Sequence, residues 1–206
     1  MGLPAAQPRL TLAEYFEAEE TALEKHEFHD GEILAMAGGG GDHSLIILNV
    51  MGELRNRLKG KPCLAYESNL RIRVPRHPYC TYPDGSVICG SRETDPKDKS
   101  GQTFTNPRLI VEVLSPSTEA YDRGEKFSRY RDIDSFQEYV LVTQTTPRVE
   151  VFFRQPEGTW LFAPYSGIEA VAKLRSLDIT LPLAEIYAGV SFPPVEPEPV
   201  DPQPQG

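Results

Sequence analysis

The sequence predicts a mixed α/β fold, a sheet flanked by helices, on three observations. Strand-like runs and helical stretches are interspersed along the chain, the pattern of a layered α/β domain. The run "LIVEVLSPST", residues 109–118, is apolar enough for a buried strand. In "GDHSLIILNVMGELRNRLK", Ile46, Val50, Leu54 and Leu58 recur on one helical stripe.

Composition agrees with one core. The chain has 206 residues, 39% hydrophobic and 25% charged, an ordinary balance for a globular domain. No apolar run approaches a membrane span, and residues 1–9 lack a signal-peptide core, so no membrane partner is expected. Cys63, Cys80 and Cys89 read as too few and too scattered for a disulfide framework. They also lack the close pairing of a zinc site, and a cytoplasmic, reducing location is the expectation. The net charge of −9 argues against a protein that simply coats nucleic acid. The charge is uneven, because residues 55–76 hold seven bases against Glu67 alone, a local +6. The body should be one domain over residues 1–190. The proline- and acid-rich tail, residues 191–206, is expected to be disordered.

The elements follow in order. Thr11 and Glu14 form a capping-box pair that starts a helix, which the spacing of Leu12, Phe16 and Leu23 carries to about Lys25. "EFHDGEILAM" reads as a hairpin about Asp30-Gly31. "AGGGGDHS" is a glycine loop with Asp42 as the cap of the next helix, which runs to about Lys59. "CLAYE" and "LRIRV" are strands, and in the second Arg71 and Arg73 alternate with apolar residues to give one basic face. "YPDGSVIC" is a turn leading into a strand, and "SRETDPKDKSGQTFTNP" is a polar loop. The 109–114 strand is followed by a helix from about Glu119 to Arg131. "QEYVLVT", "RVEVFFR" and "TWLFAPY" are further strands, and "ITLPLAEIY" closes the body.

One residue is out of keeping with its surroundings. Glu112 sits inside the apolar run, where a carboxylate costs several kcal/mol unless it is paired or binds a cation. Asp84, in the turn before a strand, is a possible companion if the two strands are neighbours. Two such oxygen ligands suit a hard cation, Mg²⁺ or Mn²⁺. The bland reading makes Asp84 an ordinary turn residue and Glu112 the partner of a buried lysine or arginine. Lys126, on the helix that leaves the strand, can point back at the acids. Alternatively it forms an i,i+4 pair with Asp122 on a solvent face.

These residues carry a resemblance. "HEFHDGEILAMAGG", His43 opening a helix, "YPDGSVIC", "LIVEVLSPST", "DRGEKFSRY" and "QEYVLV" together resemble the Uma-two family of restriction-endonuclease domains over about residues 10–190. That family is similar to the PD-(D/E)xK nuclease superfamily. The resemblance implies a restriction-endonuclease-like core, a mixed β-sheet flanked by α-helices, and makes residues 1–190 a nuclease-like domain. It implies that Asp84 and Glu112 match the superfamily's two acids and hold the metal, Mg²⁺ or Mn²⁺. The superfamily's lysine two residues after the second acid is absent, since Leu114 stands there, and Lys126 matches a lysine moved to the following helix. Glu27 matches a further acid of the family, and His43 its histidine after the glycine loop.

Taken alone, Glu27 is as well read as a surface acid, and His43 as a packed or capping histidine. A helix N-terminus disfavours an imidazolium, which leaves a neutral ring able to accept a proton or to offer N–H to a phosphate. No Gly-Lys-Ser/Thr follows Gly38–Gly41, which argues against a nucleotide-binding loop and favours a flexible turn at the mouth of a site. Tyr130 reads as helix packing. The Arg71/Arg73 face fits phosphate binding along a DNA backbone, or equally an edge strand built against aggregation.

The expected function is metal-dependent hydrolysis of DNA phosphodiester bonds, with DNA as partner. Cutting both strands would call for a homodimer. The alternative is an inactive nuclease-fold module that binds nucleic acid or a protein partner, which the acidic charge and the missing strand lysine favour.

Overall fold

The first helix opens as the sequence dictates. In the computed structural model, which describes residues 9–36 and 38–192, Thr11 Oγ1 accepts from the Glu14 N–H at 3.3 Å and Glu14 Oε2 accepts from the Thr11 N–H at 2.7 Å. This caps α1, Leu12–Thr21. The helix stops short of the predicted Lys25 because its apolar stripe lapses. Leu23 is fully exposed, at 103%, and the backbone turns extended at Ala22.

The hairpin of β1, His26–His29, and β2, Glu32–Ala35, turns through Asp30 (φ 50°) and Gly31 (φ 99°). Two consecutive positive φ values are what a two-residue hairpin turn needs, and glycine adopts them without penalty. The next helix, α2, Gly41–Arg57, is capped by Gly40 rather than by the predicted Asp42. Asp42 lies inside the first turn, where its charge complements the helix dipole.

The strands β3 (Cys63–Glu67), β6 (Gly85–Cys89), β8 (Pro107–Leu114), β9 (Glu138–Thr143), β10 (Arg148–Arg154) and β11 (Trp160–Ser166) form a mixed sheet in the order β11-β10-β9-β8-β6-β3. Within it β8 and β9 run parallel, and β6 and β8 antiparallel. A second sheet, β2-β1-β5-β4-β7, adds β4 (Arg71–Val74), β5 (Tyr79–Thr81) and β7 (Thr103–Phe104). The ribbon of β12 (Val171–Leu174) and β13 (Ile179–Pro182) leads into α5, Leu183–Ile186. The predicted helix from Glu119 to Arg131 is three pieces: α3 (Glu119–Tyr121), a π-helical turn (Asp122–Lys126) and α4 (Phe127–Tyr130).

Strand alternation divides β8 between two cores. Leu109, Val111 and Val113 pack with the Ile46, Val50, Leu54 and Leu58 stripe of α2 and with α5. Each fully buried aliphatic side chain of that stripe contributes about 1.5–3 kcal/mol. Ile110 and Leu114 face the other core with Ile72, Val74, Tyr79, Tyr130 and Tyr139. Glu112 lies between them in the alternation and is 2% exposed. Among the described residues, no helix is long and apolar enough to cross a membrane.

Two further expectations are overturned. Cys63 and Cys89 stand opposite each other on β3 and β6 and form a disulfide, a pairing that 26 residues of sequence separation concealed. The cysteines therefore no longer argue for a reducing compartment. Cys80 alone is free, and burial pushes its thiol up to about 12. The basic face of β4 is also absent: Arg71 and Arg73 are buried, 4% and 8% exposed. The loop expected to be solvated folds back over them and places β7 parallel to β4. Arg71 then meets Asp98 at 3.2 Å, and Arg73 meets Asp95 at 3.5 Å. The tail, from residue 193 on, lies outside the described residues.

Candidate active site

Asp84 and Glu112 are brought together by the pairing of β6 with β8, in which Gly85 stands opposite Val111. Each acid is fastened to the other's strand. Asp84 Oδ2 accepts from the Val113 N–H at 2.7 Å, and Glu112 Oε2 accepts from the Asp84 N–H at 3.3 Å. Lys126 reaches in from the π-turn and donates to Glu112 Oε1 at 3.1 Å. The same oxygen accepts from the Tyr130 hydroxyl at 3.1 Å, and Tyr130 also meets Thr81 Oγ1 at 2.8 Å.

Glu112 thus has a lysine partner, as the bland reading required, and an acid neighbour, as the metal reading required. Burial drives its carboxyl well above the ordinary range against the pull of Lys126, and Asp122, Asp84 and Glu27 reinforce that rise. Burial also raises Asp84, although the Val113 N–H and His43 oppose it. Lys126 is buried too, which opposes its charge. Glu112, Glu27 and Asp122 overcome this and hold the ammonium well above its usual value.

Glu27, on β1, is 7% exposed and joins the cluster with Oε1 3.7 Å from Lys126 Nζ. Its Oε2 is held by His29 Nε2 at 3.1 Å and by the Tyr121 hydroxyl at 3.4 Å, which leaves Oε1 buried without a hydrogen bond. Burial works to raise this carboxyl, but the His29 contact and Lys126 outweigh it, and the net shift is downward. His43 lies beside Asp84, its Nε2 3.5 Å from Oδ2 and 2.9 Å from the Val113 carbonyl. With Val113 O accepting, His43 carries its proton on Nε2. A Cβ on Gly39 would come within 2.3 Å of His43 Nδ1, so one loop glycine makes room for this ring.

The five residues expected at the site, Glu27, His43, Asp84, Glu112 and Lys126, therefore converge. Arg71 and Arg73 do not join them. They lie in the second sheet, bound to Asp98 and Asp95, and offer no face to a phosphate. Sequence reading missed Asp122 as a buried member, 2% exposed, and Tyr130 as a hydrogen-bond donor to Glu112. The spacing Asp122, Lys126, Tyr130, four residues at each step, was the available signal for one shared helix face.

Asp84 Oδ1 takes no protein hydrogen bond among the described residues, and Glu112 Oε2 takes only the long one from Asp84. Among those residues no three His, Cys, Asp or Glu side chains stand ready to cage an ion. A cation on the Asp84–Glu112 pair would draw its other ligands from water or phosphate, which is the habit of Mg²⁺.

The fold and this acid–lysine cluster define a restriction-endonuclease-like α/β domain. Residues 12–184 match the Uma2 (Uma-two) family, described as "Putative restriction endonuclease", and the chain belongs to that family. An uncharacterized protein of Synechocystis is 40% identical over 186 residues, covering 90% of this chain and 95% of that one. A second Synechocystis protein, also uncharacterized, is 36% identical over 170 residues, with 82% and 95% covered. The crystal structure of a "putative nuclease belonging to DUF820" from Anabaena variabilis superposes with a TM-score of 0.68 at 19% identity, covering 86% of this chain and 97% of that one. At that identity the likeness speaks for the fold.

Proposed function

We propose that the chain is an endonuclease that hydrolyses DNA phosphodiester bonds with Mg²⁺ or Mn²⁺ held by Asp84 and Glu112. One observation carries this reading: half-buried Asp84, at the entry to β6, and buried Glu112, on the neighbouring strand, each bind the backbone of the other's strand, and Lys126 reaches Glu112 at 3.1 Å. Family membership and the fold shared with the Anabaena "putative nuclease" support it. The cluster also suits a cation by charge. Glu27, Glu112 and Asp122 are three buried acids around one ammonium, and half-buried Asp84 adjoins Glu112, an excess of acid that a divalent ion would offset.

A cation there would polarise a phosphate and acidify water. The protein's own groups do the rest. Lys126 supplies a fixed positive charge and donors beside the phosphate. His43 stands beside the Asp84 carboxylate, its Nε2 3.5 Å from Oδ2, while the Val113 N–H holds that oxygen at 2.7 Å. Glu27, anchored by His29 and Tyr121, holds the other side of the ammonium. Cleavage of both strands calls for two copies about a two-fold axis.

The test is plasmid cleavage by the purified chain with Mg²⁺ or Mn²⁺. Folded Asp84→Asn and Glu112→Gln should lose at least a hundredfold in rate, the order seen when a transition-state electrostatic contact is removed. Unchanged cleavage by either refutes the assignment. The rival reading, a nuclease-fold module that binds without cutting, is favoured by Lys126 being engaged by three acids. DNA binding without cleavage across a series of divalent ions would support it.

A further inference from the structure

We propose that Asp122 is a positioning residue that, with the π-turn it opens, delivers the Lys126 ammonium to Glu112. The inference rests on the nuclease reading above and deepens it. No lysine reaches the site along the strand, because Leu114 occupies the position two residues beyond Glu112. The amine arrives from the helix on a flexible stem, and fixing such a side chain costs rotamer entropy. Asp122 is placed to hold it. Its Oδ1 lies 3.1 Å from Lys126 Nζ, its side chain is 3% exposed, and that oxygen is buried with this ion pair but no hydrogen-bond partner among the described residues. Among the described residues Lys126 is the one cation that Asp122 meets. This is not the solvent-facing helix pair that spacing alone allows.

The π-turn supplies the alignment. Residues four apart drift about 40° around a regular α-helix, so positions 122 and 130 would stand about 80° apart. The wider turn over Asp122–Lys126 opposes that drift. Asp122 then meets Lys126, while Lys126 and Tyr130 both donate to Glu112 Oε1 at 3.1 Å. The turn is anchored from the sheet as well, because the Tyr139 hydroxyl on β9 donates to the Asp122 carbonyl at 3.0 Å. A buried tyrosine thus satisfies backbone at a distortion of the helical ladder, which tends to mark a functional site.

The test joins lysine footprinting to kinetics on the full chain. Acetylation with acetic anhydride, read by mass spectrometry, should spare Lys126 in the wild type while Lys99 and Lys59 react. In folded Asp122→Asn, Lys126 should label at least tenfold faster with Lys99 and Lys59 unchanged. DNA cleavage by that variant should fall at least tenfold in kcat with KM unchanged, and Asp122→Asn/Lys126→Met should be no worse than Lys126→Met. Persistent protection of Lys126 in Asp122→Asn overturns the proposal. So does a double variant that loses as much again as the two single losses combined. If the wild type cleaves nothing with any divalent ion, the nuclease reading fails, and the footprint still decides the positioning claim. If Asp122→Asn does not fold, Asp122→Glu carries the test, since retaining the acid should keep Lys126 protected. Labelling as fast as Lys99 would contradict the pairing.

Discussion

Lys126 Nζ and Glu112 Oε1 lie 3.1 Å apart, one carried on a π-turn and the other in the middle of a buried strand. Each is what makes the other tolerable in an apolar setting. Removing the amine in Lys126→Met leaves Glu112 with Tyr130 and the Asp84 N–H as its donors. The expected cost is roughly 3–5 kcal/mol at pH 8, read from urea unfolding, the order found for breaking a buried pair. The cost should shrink as the pH is lowered, because Glu112, already raised by burial, then takes a proton and no longer needs the amine.

Cation binding should depend on pH in a set direction. Burial raises Asp84 and Glu112 in the folded chain, so both hold protons more tightly folded than unfolded. The stability this lends is present at low pH and is lost as pH rises through the raised values. A divalent ion competes with those protons. The gain in Tm on adding Mg²⁺ should therefore be small at pH 5 and several degrees at pH 8, at roughly 2–4 °C per kcal/mol for a domain of this size. Asp84→Asn should abolish most of it. Calorimetric scans at the two pH values check this, and an equal gain in the variant contradicts it.

Much of this site is legible from sequence, for physical reasons. Glu112 announces itself because a charge in an apolar run has to be explained, and Asp84 because its turn opens a strand. The lysine is found once a helix is expected after Pro116. What sequence hides is long-range pairing. Nothing local shows that residues 91–106 fold back over β4, so Arg71 and Arg73 look like an exposed basic face when they are buried. The Cys63–Cys89 pairing is hidden in the same way, because it depends on the β3–β6 register. The π-turn leaves no trace in hydrophobic periodicity, and spacing alone places Asp122 only in the alternative of a solvent-face pair with Lys126.

Arg71 and Asp98 give the loop its own test. Asp98 accepts from Arg71 at 3.2 Å and from the Thr103 N–H at 2.8 Å, and the guanidinium lies 4.9 Å from the Phe16 ring centre. Asp98→Ala strips a buried arginine of its acid and should cost about 3–5 kcal/mol. Hydrogen exchange should speed up over residues 91–106 and leave β8 and β9 protected. Uniform exchange across the domain would contradict a local role.

The disulfide bears on stability apart from the site. It closes a loop with a sequence separation of 26, and reduction should cost about 2–4 kcal/mol. Urea unfolding with and without dithiothreitol, with Cys63→Ser as control, measures this. No effect of reductant on the wild type would mean that the bond does not form in solution.

Anomalous diffraction from crystals soaked in Mn²⁺ is the most direct measurement of all. One peak within coordination distance of Asp84 and Glu112, absent in Asp84→Asn, is the result expected. A well-ordered soaked crystal with no density there, or with manganese bound only at distant surface acids, would contradict the assignment of these two carboxylates as a metal site.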